Sequence, residues 1–451
     1  MNQPAATGKL PSRTKWIYGI GDWGNTTTST IQVFFFAYFL TDIARLEPLY
    51  AAPVLLIGGI WDAINDPIIG LLLDRVRTRW GRRRPFFLFG ALPLAISFIL
   101  LLWVPPISSQ IGKAVYYCLA YIFFDTAFTA LVIPYGALVP DLTDDYDERT
   151  SLNGWRMGVS MLGGLIATVS VPLLAGAFER PATGYFAAGV IFGVLAAGPY
   201  LLLFANTRER FAAPSNQPLN IKRSFLSTFR NRPFRYVAGI YMFSWISVNL
   251  VASLMVYYLT YYLGMANRLE VVLGIVQASA LICIPVVLKL SERVGKPSAY
   301  MIGAASWAVV MLLLAFIAPY QHTLAYVLAV CTGLGVAAAH VIPWALLPDV
   351  IEVDELATGE RREGAYYGFI VFLQKGGTAL MLAIVQWILH LTGYVPDAVQ
   401  NLQALWAIRL LFGALPAALL FVSIGLAARF PINRERHAAM LVELAAKRAG
   451  D

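Results

Sequence analysis

Twelve long apolar segments alternate with shorter polar connections along the whole of the 451-residue chain. Six lie in the first half, at residues 16–41, 49–73, 85–104, 114–139, 151–176 and 183–205. Six more lie in the second half, at residues 234–263, 270–290, 298–318, 323–347, 365–391 and 403–428. A helix needs about 20 residues to cross a bilayer, so each segment is long enough to span one. The pattern therefore predicts an all-α membrane protein with twelve transmembrane helices.

Composition agrees with this interpretation and sets the topology. Hydrophobic residues make up 58% of the chain and charged residues 13%, with a mean hydropathy of +0.65, whereas a soluble domain carries about 25% charged residues. The net charge of +8 comes from Lys and Arg residues between the apolar segments, a pattern typical of membrane topology rather than of nucleic-acid binding. The predicted outer loops hold only four of these residues, Arg45, Lys113, Arg180 and Arg268. Both termini are therefore predicted to be cytoplasmic, with the protein in the cell inner membrane and no nucleic acid as a partner.

The two halves of the chain carry matching motifs. VIPYGALVPD (132–141) ends the fourth segment and VIPWALLPD (341–349) ends the tenth, while WGRRRP (80–85) and VGKP (294–297) follow the second and the eighth. Both pairs recur at nearly the same offset, which indicates two parallel six-helix halves, the plan of major facilitator transporters. The predicted organisation is an N-terminal bundle, a cytoplasmic linker, a C-terminal bundle and a cytoplasmic tail, at residues 1–206, 207–233, 234–430 and 431–451.

The second apolar segment contains two carboxylates, in the stretch GGIWDAINDPIIGLLLDRV (58–76). Asp62 and Asp66 lie one turn apart on the same helix face, with Asn65 between them in sequence. A charged Asp at the centre of a spanning helix costs about 2.5–3.5 kcal/mol, which a bound cation, a proton or an opposing basic residue can offset. An oxygen-rich cluster suits a hard cation, so Na⁺ and H⁺ are the candidates. The alternative is a structural ion-pair network with two basic residues that lie within the spans, Arg156 and Lys375.

Four stretches carry a resemblance to a known family: GIWDAINDPIIG, RTRWGRRRPFFLFG, FLQKGG (372–377) and GYVPDAVQNLQAL (393–405). These stretches resemble the melibiose-permease family, the glycoside–pentoside–hexuronide:cation symporters of the major facilitator superfamily. They occur in the same order as in that family, and the resemblance extends from about Tyr18 to Arg429. The resemblance implies a site for the coupling cation, Na⁺ or H⁺, formed by Asp62, Asn65, Asp66 and Thr129. If the cation is sodium, these four residues are its metal ligands. It further implies that Arg156 and Lys375 link this site to the sugar, and it implies no cofactor beyond the coupling cation.

The basic string after the second segment is expected to act as a cytoplasmic gate. Arg82, Arg83 and Arg84 are able to hydrogen-bond helix C-terminal carbonyls and acidic groups of neighbouring loops, among them Asp141. The alternative is that these arginines serve membrane topology alone.

The predicted sugar site departs from the family pattern. Melibiose carriers hold the sugar with an Asp on the first helix and an Asp on the fourth, where this chain has Thr26 and Val132. Asp22 lies one turn before Thr26, and Asp125 lies about two turns before Val132. Each is either a displaced substrate ligand or a structural carboxylate. The candidate substrate-binding set is therefore Asp22, Thr26, Asp125, Arg156 and Lys375.

The sequence as a whole predicts a secondary active transporter that couples Na⁺ or H⁺ to the import of a glycoside or related sugar, by alternating access. Its predicted partners are the solute, the cation and membrane lipid. Two alternatives remain: a transporter of the same fold for a lipid-like or other amphipathic solute, and a receptor that binds solute without transporting it. The sequence contains no phosphate loop and no hydrolase, kinase or zinc-protease signature, so an enzyme is not expected.

Overall fold

Helices make up nearly all of the regular structure in this computed structural model. It describes residues 10–76, 78–143, 146–207, 228–229, 231–358, 363–432 and 440, and none of these residues forms a strand. The first seven helices are α1 Ser12–Tyr38, α2 Pro48–Arg75, α3 Arg84–Leu101, α4 Gln110–Gly136, α5 Val139–Leu142, α6 Tyr146–Gly176 and α7 Pro181–Asn206. The next seven are α8 Arg232–Tyr257, α9 Leu269–Val294, α10 Lys296–Phe316, α11 His322–Thr358, α12 Glu363–Leu391, α13 Leu402–Arg409 and α14 Leu415–Ala428. Each of the twelve predicted segments lies on one long helix, the last of them on α13 and α14 joined by a π-helical turn, and the predicted fold class is confirmed.

The first helix differs in character from the others. Eleven of the described helical segments are long and apolar enough to cross a membrane by length and composition, and α1 is not among them. Its sequence from Asp22 to Thr28 is polar, and Asp22, Thr27 and Thr28 are buried. The polar side of α1 therefore faces protein. There its polar groups can form hydrogen bonds, which lipid would not provide.

The chain divides into two compact units that share five corresponding helix–helix contacts. The first comprises Met1–Asn216 and Pro396–Ala398, and the second comprises Gln217–Val395 and Val399–Asp451. In the first unit α1 packs on α6 and α7, α2 packs on α4, and α3 packs on α4 and α7. In the second unit α8 packs on α12 and α14, α9 packs on α11, and α10 packs on α11 and α14. The helix pairs correspond one to one, as two parallel repeats require.

A π-helical turn follows the first helix of each repeat. Phe39–Ile43 continues α1 and Tyr258–Tyr262 continues α8, in the similar sequences YFLTDI and YYLTYY. A third such turn, Leu410–Ala414, joins α13 to α14, and its Phe412 stacks on Tyr258 with ring centroids 4.2 Å apart. Because π-helical turns are rare, their recurrence at the same place fixes the register between α1 and α8.

The second and third helices of each repeat are joined at a glycine. Gly81 has φ +110° and lies in a tight turn in which the Thr78 hydroxyl donates to the Gly81 carbonyl at 2.8 Å. Gly295 has φ +84° at the end of α9. A side chain with a Cβ is strained at such φ values, so the glycines of WGRRRP and VGKP have a backbone role. Each of them directly precedes a basic residue, Arg82 or Lys296.

Candidate functional site

The predicted cation ligands lie where α2 packs on α4. The amide nitrogen of Asn65, a residue only 1% exposed, donates to the Asp125 carboxylate at 3.1 Å and to the Asp125 carbonyl at 3.2 Å. The hydroxyl of Thr129, one turn after Asp125, donates to Asp66 Oδ1 at 3.3 Å. We call these four residues the Asn65 cluster. Its members bring two carboxylates, an amide and a hydroxyl together between two neighbouring helices, an oxygen-rich set of the kind that hard cations prefer.

A proline in α2 leaves one backbone carbonyl of the WDAINDP motif without its helical hydrogen bond. Pro67 lies inside the helix and has no N–H, so the carbonyl of Ala63 loses its usual helical partner. Ala63 follows Asp62 directly in the sequence. Backbone carbonyls are common ligands of hard cations, so the motif WDAINDP combines two acids, an amide and a released carbonyl within one and a half turns.

A tyrosine of α4 lies near both Asp62 and Asp125. Tyr121 of α4 lies close enough to Asp62 and Asp125 for both carboxylates to act on it electrostatically. Its ring packs on the backbone of Gly58, one turn before Asp62, where an added Cβ would come within 2.1 Å of the ring. The indole of Trp61 donates to the Thr126 hydroxyl at 2.9 Å, which holds the same two helices together.

Replacing Gly58 with alanine is expected to displace the Tyr121 ring from Asp62 and to weaken cation binding. Overpacking of this kind costs about 1–3 kcal/mol. The measurement is thermal unfolding of the purified protein, with and without added Na⁺. Gly70→Ala is the matched control, because a Cβ at this position of α2 meets no described atom within 4 Å. Equal behaviour of the two variants would contradict the role assigned to Gly58.

Asp125 lies with the cation candidates rather than with Asp22. The sequence left it open whether Asp125 is a displaced sugar ligand or a structural carboxylate. Its carboxylate accepts a hydrogen bond from Asn65, and it is buried. The structure therefore groups Asp125 with the WDAINDP motif, a contact that spacing along α4 alone did not indicate.

A second polar cluster lies where α1 packs on α6. The Asp22 carboxylate, only 2% exposed, accepts from Arg156 Nε at 3.1 Å and from the Asn25 amide at 3.0 Å. The Thr26 hydroxyl lies 3.4 Å from the second Asp22 oxygen and 2.6 Å from the Ser160 hydroxyl. We call these five residues the Asp22 cluster. Three predicted substrate-binding residues, Asp22, Thr26 and Arg156, thus belong to one contact network. Asn25, one turn after Asp22, and Ser160, one turn after Arg156, are also part of it.

Tyrosines surround the Arg156 side of this cluster. The guanidinium of Arg156 lies 5.2 Å from the centroid of the Tyr135 ring, which stacks on Tyr18 at 4.8 Å. The Tyr135 hydroxyl donates to the Tyr18 carbonyl at 2.8 Å. The hydroxyls of Tyr18 and Tyr200 are buried and find no hydrogen-bond partner within the described parts of the chain. Aromatic rings therefore line the Arg156 side of the cluster.

Two of the predicted substrate-binding residues are basic, Arg156 on α6 and Lys375 on α12. Arg156 was expected to link the cation site to the sugar, and its observed partner is Asp22 on α1. Lys375 lies half-buried on α12, in the second unit. Its link to the acids of the first unit stays a prediction.

At the predicted gate, Arg84 binds the end of a helix. Its Nη2 and Nε donate to the Phe204 carbonyl in the last turn of α7, at 2.6 and 3.1 Å, and its guanidinium lies 4.8 Å from the Phe204 ring centroid. Arg83 is buried and Arg82 is half-buried. The side chain of Asp141 lies outside the described residues.

The second repeat contains a resolved ion pair at the corresponding motif. Lys296 of VGKP donates to both oxygens of the buried Asp349 of VIPWALLPD, at 2.7 and 2.8 Å, and to the Ala345 carbonyl at 2.9 Å. The two repeated motifs of the sequence analysis therefore contact each other in the second unit.

No group of three or more His, Cys, Asp or Glu side chains that could hold a metal ion occurs in the described part of the chain. The predicted sodium ligands are of another kind, because they combine two carboxylates with an amide and a hydroxyl.

Comparison with known proteins identifies the family. Residues 17–434 match the profile of the family described as MFS/sugar transport protein. An uncharacterized symporter of Synechocystis sp. is 33% identical over 99% of both chains. Sodium-dependent lysophosphatidylcholine symporter 1 of Gallus gallus is 28% identical over 95% of this chain and 88% of its own. A Salmonella typhimurium protein whose name proposes sulfoquinovose import is 28% identical over 99% of this chain and 95% of its own.

Solved structures agree on the fold. A bacterial homologue of the human lysosomal transporter Spinster gives a TM-score of 0.69, with 13% identity over 97% of this chain and 99% of its own. A nucleoside transporter gives a TM-score of 0.67, with 12% identity over 91% of this chain and 99% of its own. All of these proteins are transporters rather than enzymes, and the predicted resemblance to cation symporters is confirmed. The chain is a multi-pass membrane transporter that belongs to the MFS/sugar transport protein family.

Proposed function

We propose that this transporter couples the inward movement of Na⁺ or H⁺ to the import of a glycoside or related sugar across the cell inner membrane, with both termini in the cytoplasm. The coupling site comprises Asp62 and the Asn65 cluster, and the Asp22 cluster supplies polar contacts to the solute. The observation that carries the proposal is the pair of hydrogen bonds between α2 and α4, from Asn65 to Asp125 and from Thr129 to Asp66.

The energetic argument concerns charge inside a membrane helix. A carboxylate there costs about 2.5–3.5 kcal/mol, and α2 and α4 together contribute Asp62, Asp66 and Asp125. Binding of a cation or proton removes part of this cost, so the loaded and empty states differ in free energy. Alternating access coupled to that difference gives symport.

A sugar is the favoured solute, and a lipid-like molecule is the second candidate. The family description and the relative named for sulfoquinovose import support a sugar. Val132, at the position where melibiose carriers have an acid, and the relatives named lysophosphatidylcholine symporters support an amphipathic solute. A receptor without transport activity is disfavoured. Paired carboxylates in a membrane helix are costly, and solute binding alone does not require them.

Uptake into proteoliposomes tests the proposal. Vesicles that contain the full chain receive an inward Na⁺ gradient, an inward H⁺ gradient or no gradient. Labelled hexoses and hexosides form one solute panel, and labelled lysophosphatidylcholine below its vesicle-disrupting concentration forms the other. We expect one gradient to drive accumulation of a member of the first panel. Accumulation of lysophosphatidylcholine alone would contradict the sugar, and solute binding with no gradient-driven uptake would contradict symport.

A further inference from the structure

An arginine of the last spanning segment contacts two aromatic rings. The Cζ atom of Arg409 lies 4.2 Å from the centroid of the Trp406 ring, one turn earlier on α13. It lies 4.7 Å from the centroid of the Tyr262 ring, in the π-helical turn that follows α8. Its Nε donates to the carbonyl of Ala315, in the last turn of α10, at 3.0 Å. We call Trp406, Arg409 and Tyr262 the Arg409 site.

The Arg409 side chain has donors that the described protein does not use. A guanidinium carries five N–H groups, and among the described residues only Nε of Arg409 has a hydrogen-bond acceptor. No carboxylate of these residues forms an ion pair with Arg409 either. The side chain is half-buried, and its Nη1 and Nη2 atoms reach the surface. A cation with two open donor groups is therefore available to an anion from outside the chain.

The surface around these donors is apolar. Leu402, Trp406 and Arg409 share one face of α13, because they are spaced by four and three residues. Leu402 is 71% exposed and Trp406 is 40% exposed. Phe316, which follows Ala315 at the end of α10, is 62% exposed. Apolar side chains exposed on spanning helices lie against lipid, so the Arg409 site opens toward the membrane.

The site lies near one end of the spanning helices. Since α13 begins at Leu402, Arg409 lies about 10 Å from the start of this helix. It also lies beside the last turn of α10, which ends at Phe316. Trp, Tyr and long basic side chains are typical of this depth, where their polar tips reach the lipid headgroups. The anionic groups available at this depth are headgroup phosphates.

The first repeat shows that the fold does not require a cation at this position. The similar sequences FGVL (192–195) on α7 and FGAL (412–415) set a register that aligns Gly189 with Arg409. A Cβ added at Gly189 would come within 3.3 Å of the Cβ of Leu102, the residue after α3. In the first unit α7 thus packs directly against the end of α3, without a charged side chain.

From this arrangement we infer that the Arg409 site binds the phosphate of a membrane phospholipid. The Nη1 and Nη2 groups of a guanidinium donate in parallel to two phosphate oxygens, a geometry that distinguishes arginine from lysine. The two rings and the bond to Ala315 hold the guanidinium in place, so less freedom is lost when the phosphate binds. With the proposed topology, this lipid belongs to the outer leaflet. The inference does not depend on the identity of the transported solute.

Titration of the purified full-length protein in detergent tests the inference. The first probe is dioctanoyl phosphatidylglycerol. Dioctanoylglycerol has the same chains without the phosphate, and glycerol phosphate has the phosphate without the chains. The midpoint of thermal unfolding at each probe concentration reports the affinity.

The variants are Arg409→Gln, which removes the charge, and Arg409→Lys, which keeps the charge without the two parallel donors. Arg268→Gln is the matched control, since Arg268 is an exposed arginine directly before α9 that donates to the Tyr326 hydroxyl at 3.4 Å. Each variant is compared with itself in the absence of lipid, so the lost bond to Ala315 does not enter the comparison.

We expect phosphatidylglycerol to raise the unfolding midpoint of wild type and of Arg268→Gln equally, and the other two probes to have little effect. Arg409→Gln should weaken the affinity for phosphatidylglycerol roughly 10-fold or more, because charge-assisted hydrogen bonds are lost. The affinity of Arg409→Lys should lie between those of wild type and Arg409→Gln.

Equal affinity of wild type and Arg409→Gln for phosphatidylglycerol would overturn the inference, as would the absence of any effect on wild type. An equal effect of dioctanoylglycerol would show that the chains are bound rather than the phosphate, and an equal effect of glycerol phosphate would show a site for free anions. If Arg409→Gln does not fold, Arg409→Lys decides, and an affinity equal to that of wild type would then overturn the inference. Transport enters none of these measurements, so their outcome is separate from that of the proposed function.

Discussion

Asp66→Ala should abolish cation-driven solute accumulation and leave a folded, membrane-inserted protein. Asp66 accepts the hydrogen bond of Thr129 and contributes one of the carboxylates between α2 and α4. Loss of a charge-assisted contact costs about 1.5–3 kcal/mol, or roughly 10- to 150-fold in cation affinity. Insertion should not suffer, because a membrane helix without the carboxylate is cheaper to insert by about 2.5–3.5 kcal/mol. Asp62→Ala should have the same effect on accumulation.

The measurement is uptake against a gradient in proteoliposomes, together with thermal unfolding of each purified variant. Glu47→Ala is the matched control, because Glu47 is an exposed acid at the start of the same helix α2. Thr129→Ser retains a hydroxyl and should transport, whereas Thr129→Ala should bind the cation more weakly. An Asp66→Ala protein that still concentrates solute would remove Asp66 from the coupling site.

The helices and their repeat were predictable from the sequence for simple reasons. A spanning segment must be apolar over most of about 20 residues. Such a segment can be recognised in the sequence even where it contains single polar residues. The paired VIP and glycine motifs mark helix ends, where backbone geometry restricts the residue type, as the positive φ of Gly81 and Gly295 illustrates. Thr129 and Asp66, two of the four cation ligands that the resemblance implied, are in contact, and their role as ligands stays a prediction.

The partners of the buried charges were not predictable in the same way. Asp125 contacts Asn65 and Arg156 contacts Asp22, and both pairs join different helices. Such contacts depend on how far each helix is rotated about its axis, which a hydrophobic segment of more than 20 residues does not fix. Amphipathic periodicity would have reported the rotation in a soluble protein. In a membrane helix lipid and protein are both apolar, so that signal is weak.

Arg156→Gln should destabilise the protein strongly, and adding Asp22→Asn should restore most of the lost stability without restoring transport. Arg156 donates to Asp22, a carboxylate that is only 2% exposed. Removing one partner of a buried ion pair costs about 3–5 kcal/mol, because the other charge stays buried without compensation. Asn25 and Thr26 still contact Asp22, but an amide and a hydroxyl do not neutralise it. In the double variant no charge remains to be compensated.

Thermal unfolding in detergent measures the stability of the single and double variants, and proteoliposome uptake measures transport. Arg409→Gln is the matched control, since the guanidinium of Arg409, in the last spanning segment, donates to the Ala315 carbonyl at 3.0 Å and pairs with no carboxylate among the described residues. Its loss of stability should be smaller than that of Arg156→Gln. If the double variant unfolds as early as Arg156→Gln, the pair does not act as a compensated charge. If the double variant transports normally, the Asp22 cluster is structural, and the polar contacts to the solute must come from other residues.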